Sequence, residues 1–203
     1  MEIHKALNQI SEIHEHLSRS EVYRGYRSVP IALSGILALA AAAAQPRFGG
    51  FSTPEGFLYY WMAVGVVASL LAGGGIIYNY AKEKNPRVRR ITRTVVGQLF
   101  PCLIAGVAIC APLLTMEDKG VFIQFLPGLW AILFSVGVFA SRPYLPRMIG
   151  WVALFYLIAG TILLFLAPTG KSLSPWGMGL TFGFGQIFGA VILYWNLERR
   201  NGV

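Results

Sequence analysis

Six stretches of about 20 mostly apolar residues divide this chain, and none carries Asp, Glu, Lys, Arg or His in its interior. No other feature limits its folding as severely. In hydrocarbon an unpaired backbone N–H or C=O costs several kcal/mol, so a segment that crosses must satisfy its own backbone, as a helix does. The stretches run over 29–45, 57–80, 95–115, 121–141, 148–168 and 176–197. The expected fold is therefore an all-α integral membrane protein with six transmembrane helices. A cytoplasmic segment of residues 1–28 precedes them, and a short tail, 198–203, follows.

Composition agrees. Only 13% of the 203 residues are charged, about half the share in an ordinary soluble domain. The mean hydropathy is +0.58. Such a chain is solvated mainly by lipid. The first 28 residues are polar and lack a short apolar run followed by a cleavage site, so no secretory leader is expected. Cys102 and Cys110 share one apolar stretch. Eight residues of helix rise about 12 Å, too far for a disulfide, and both read as small apolar residues.

The net charge of +8 is placed unevenly. Fourteen of the 17 Lys and Arg fall in the N-terminal tail, the second and fourth loops and the C-terminal tail; only Arg47, Lys119 and Lys171 fall in the alternate loops. The positive-inside rule then places both termini in the cytoplasm, in a cytoplasmic (inner) membrane. Topology accounts for the basic balance, and nucleic-acid binding is not expected. The second loop is the densest strip, with Lys82, Lys84, Arg87, Arg89, Arg90 and Arg93 against the single acid Glu83. Such a strip also suits anionic lipid or an acidic partner.

The residue types missing from the spans exclude several activities. Intramembrane ionisable groups mark proton relays and ion coupling, and here there are none. All three histidines lie in the tail, so none is placed to clamp a haem between helices. His-Glu-x-x-His, Gly-x-Ser-x-Gly and the phosphate-cradling Gly-rich loop are absent. No catalytic, cofactor or metal site is expected. The polar groups inside the spans are uncharged, with Gln98, Gln124 and Gln186 the largest. They suit interhelical hydrogen bonds, or a pocket for a neutral ligand.

Small residues recur at spacing four. Gly65, Ser69 and Gly73 line the second span; Gly179 with Gly183, and Gly185 with Gly189, line the sixth. Such faces let helix backbones approach closely, so both are expected to pack inside the monomer, with an oligomer interface as the alternative. Gly73-Gly74-Gly75 is also a potential break in the second helix. Thr53-Pro54 and Ser174-Pro175 each offer a hydroxyl N-cap followed by proline at the first helical position.

The N-terminal tail has its own pattern. Ile3, Leu7, Ile10, His14 and Leu17 are spaced four, three, four, three, the seam of an amphipathic helix. Lys5, Asn8, Gln9, Glu12, Glu15 and Arg19 occupy its other face. Four glutamates in the tail disfavour an anionic lipid surface. The expectation is a helix that docks on a protein partner or on a second copy of the chain. Taken together, the residues point to a non-enzymatic membrane protein that acts by association, as an accessory or regulatory subunit. The alternatives are a channel or facilitator for a small neutral or hydrophobic substrate, and an enzyme or redox subunit whose cofactor a partner holds.

Overall fold

The computed structural model describes residues 28–47 and 53–199. Among these the chain is helical, with no strand, and six helices are long and apolar enough to cross a membrane. They are α1 (Ser28–Ala44), α2 (Pro54–Lys82), α3 (Pro86–Ala108), α4 (Lys119–Ser141), α5 (Ile149–Leu166) and α6 (Pro175–Asn196). The amphipathic seam at Ile3, Leu7, Ile10, His14 and Leu17 lies outside the described residues.

The helices alternate in direction. Among the described residues, nine cations and two acids lie at the end where α1 begins, and three of each lie at the other. These are called the basic end and the opposite end below.

Helix starts follow local chemistry. Thr53 caps α2, its hydroxyl accepting from the Gly56 amide at 3.1 Å, with Pro54 at the first helical position. Asp118 caps α4, its carboxylate accepting from the Gly120 amide at 3.2 Å. Ser174 holds the expected extended conformation before α6, but its hydroxyl makes no capping bond. Pro101 and Pro127 stay inside helices α3 and α4. Pro112 instead opens a 3-10 turn, Ala111–Leu114, beyond the end of α3. The glycine triplet at 73–75 does not interrupt α2.

Packing places α1 between α2 and α6, and α4 between α3 and α5, while α5 meets α6. The first turns of α2 also reach α4, through Leu58 against Ile123 and Leu126. Two glycine crossings bring backbones together. At the α1–α6 crossing, a Cβ on Gly35 would lie 2.8 Å from the Gly183 carbonyl oxygen. At the α4–α5 crossing, a Cβ on Gly128 would lie 2.7 Å from the Gly160 carbonyl oxygen. Neither space would admit a side chain, so the approach depends on glycine at both sites.

The core between α4, α5 and α6 is aromatic. Tyr156 is fully buried. Its ring centroid lies 4.8 Å from that of Phe134 and 5.7 Å from those of Phe155 and Phe182. Edge-on and tilted contacts of this kind suit the ring quadrupole. The ring rests on Gly185, where any Cβ would overlap it. The Tyr156 hydroxyl points to the Phe182 carbonyl at 3.4 Å. Here α6 widens into a π-helical stretch, Gly179–Phe184, before returning to α-helix at Gly185–Leu193. A wide turn redirects carbonyls away from the regular ladder, and one of them meets this phenol.

Near the opposite end, polar groups satisfy one another locally. The Trp61 indole donates to the Gln45 side-chain oxygen at 2.9 Å, and the Tyr60 hydroxyl donates to the Ala41 carbonyl at 2.7 Å. The Ser172 hydroxyl donates to the Gln124 carbonyl at 2.6 Å. These bonds join α1 to α2, and α4 to the turn before α6.

Candidate interaction surface

Four helices share the interior. Buried residues make up between a third and a half of the apolar windows of α1, α4, α5 and α6, but only 6% of those of α2 and α3. In α2 the buried residues are Phe57, Leu58 and Trp61, all within its first two turns. Beyond them Val66, Leu70 and Ile77 stand well exposed. Although three residues suffice to connect them, α2 and α3 touch each other little.

The small-residue faces separate into two kinds. On α6, a Cβ at Gly179 would overlap the Ala42 methyl, and one at Gly183 would lie 2.6 Å from Leu39 Cγ. Gly185 receives Tyr156, and Gly189 has only ordinary contact with Val152. On α2 the small-residue face makes no such contact among the described residues. Gly65 and Ser69 are exposed, and a Cβ on Gly65 or Gly73 would meet nothing within 4 Å. The reason is that α2 turns another side toward the bundle. It meets α1 through Gly75, whose Cβ would lie 2.8 Å from Pro30, and meets the interior through its first aromatic residues.

Spacing four did not single out Gly35, Gly128, Gly137 or Gly160. None has a glycine four residues away on its own helix; Gly137, for example, meets Leu99 and Cys102 of α3. A lone glycine in an apolar span carries no sequence signal that distinguishes a crossing from a lipid-facing position.

The three amides enter different surroundings. Gln186 packs on α1 beside Gly35. Gln124 sits in the second turn of α4 at the opposite end, half-buried. On α3 the Gln98 side-chain oxygen is buried and has no hydrogen-bond partner among the described residues. Cys102 and Cys110 are free, half-buried thiols. Among the described residues no group of three His, Cys, Asp or Glu is placed to hold a metal ion.

The basic strip is helical rather than a loop. Lys82 closes α2, only 83–85 connect, and Arg87, Arg89, Arg90 and Arg93 fall in the first turns of α3. Proline at position 86 suits the first helical position, so the helix begins nine residues before its apolar part. The Arg89 guanidinium lies over the Tyr80 ring at 4.6 Å, bridging the two helices. The Lys82 ammonium lies 4.2 Å over the Tyr78 ring and donates to its hydroxyl. Glu83, the one acid between 78 and 94, accepts from the Asn85 amide at 2.9 Å. Lys82, Lys84, Arg89, Arg90 and Arg93 are all exposed.

Comparison with protein-family models, curated proteins and solved structures finds no match to this chain.

Proposed function

We propose that this chain is a multi-pass inner-membrane protein with both termini cytoplasmic, and that it acts by association as an accessory or regulatory subunit. The observation that carries the reading is the outward small-residue face of α2. Elsewhere the protein uses glycine for close helix contact, at Gly35 with Gly183 and at Gly128 with Gly160. The face at Gly65, Ser69 and Gly73 has the same character, and among the described residues a Cβ on Gly65 or Gly73 would meet nothing within 4 Å. Small residues give lipid no better packing than larger ones do, but they let a second helix approach. The charge-free spans supply no chemistry for ion coupling or catalysis. The N-terminal seam is a second docking element in this proposal.

Native mass spectrometry after mild solubilisation tests it. Wild type is expected to carry a second copy or another chain. Gly65→Leu with Ser69→Leu should shed that mass while keeping its thermal stability, since both side chains enter open space. A bound mass unchanged in the double variant, or a wild type bound to nothing, would contradict it.

A further inference from the structure

We propose that one face of α3 is a binding site for one anionic phospholipid, with Arg89 and Arg93 holding the headgroup phosphate. Arg89, Arg93, Val96, Phe100, Leu103 and Val107 are spaced four, three, four, three, four, so they form one stripe along the helix. Every member is exposed, Phe100 by 56% and Val107 by 63%. The stripe begins with two guanidinium groups and continues as apolar surface, from Val96 to Val107, for about 17 Å. A diacyl lipid has that order: an anionic phosphate at the boundary, with chains running inward.

Three details favour a held lipid over diffuse attraction. Arg89 lies over the Tyr80 ring, so the ring fixes one guanidinium before any ligand arrives. Arginine presents a planar donor fork that matches phosphate oxygens. Between positions 78 and 94 Glu83 is the single acid against six cations, and it accepts from the Asn85 amide, so the local charge strongly favours an external anion. A soluble phosphate would use the arginines but not the apolar stripe, so the stripe decides for a lipid.

This inference rests on the membrane reading above, and the test separates the two. The full chain is first checked for resistance to alkaline carbonate extraction; release from the membrane would overturn both readings. The detergent-solubilised chain is then titrated with phosphatidylglycerol, phosphatidylcholine or glycerophosphoglycerol, and bound lipid is counted by native mass spectrometry. Phosphatidylglycerol is expected to be retained and phosphatidylcholine lost. Arg89→Gln with Arg93→Gln should weaken retention about thirtyfold, two cations each contributing about fivefold. Arg142→Gln with Arg147→Gln, at the same end but off the stripe, should change it little. Equal retention of both lipids would overturn the site, as would an equal effect of the two double variants. Full competition by glycerophosphoglycerol would overturn the lipid assignment.

Discussion

Gly179→Leu is expected to destabilise the fold by about 1–3 kcal/mol, toward the upper end of the range for overpacked cores. The reason is the neighbour. Any Cβ at this position overlaps the methyl of Ala42, which has no rotamer to move into, and the Ala38 carbonyl lies 3.4 Å away. α1 and α6 must separate, and the Gly35–Gly183 approach one turn along is lost with them. Gly65→Leu makes the control. It enters open space, and leucine is about 1 kcal/mol better than glycine in a helix. Thermal unfolding in one detergent compares the pair: a large drop for Gly179→Leu and none for Gly65→Leu. Equal behaviour of the two would mean that the α1–α6 crossing is not close.

Tyr156→Ala should cost about as much. The ring fills the junction of α4, α5 and α6, in contact with Phe134, Phe155, Phe182 and the Gly185 backbone. In a bilayer the unfolded reference is itself apolar, so the loss is mainly the cavity part, about 2–3 kcal/mol. Tyr156→Phe keeps the ring and gives up one long hydrogen bond, 3.4 Å to the Phe182 carbonyl. It should cost under about 1 kcal/mol. Chemical unfolding of both variants separates the contributions. A phenylalanine variant as unstable as the alanine one would show that the hydroxyl, not the ring, holds the junction.

Sequence alone gave access to what depends on one segment at a time. Apolar length marks each span, Thr53-Pro54 marks the start of α2, and the uneven Lys and Arg mark the two ends. The series Gly179, Gly183, Gly185 and Gly189 announced close packing because four glycines repeat on one helix. What the sequence withheld depends on two segments at once. Gly65 and Gly183 look alike in their own spans; only the partner helix makes one a crossing and leaves the other open. The same holds for Tyr156, whose importance comes from Gly185 and Phe134, both distant in the chain. The arginines read as a loop because apolar windows stop at charge. Helical hydrogen bonding does not stop there, so α3 extends back to Pro86 and carries Arg89 and Arg93 on one face with its apolar residues.

The central claim is a chain that crosses the membrane with its basic end inside. Single cysteines at Asn85 and Glu117, in a background with Cys102→Ser and Cys110→Ser, test it most directly. Both positions are exposed, Asn85 at the basic end and Glu117 at the opposite end. A membrane-impermeant maleimide added to intact cells should label Glu117→Cys and leave Asn85→Cys unlabelled until the membrane is permeabilised. Labelling of both from the same side, or of Asn85→Cys alone from outside, would contradict the account.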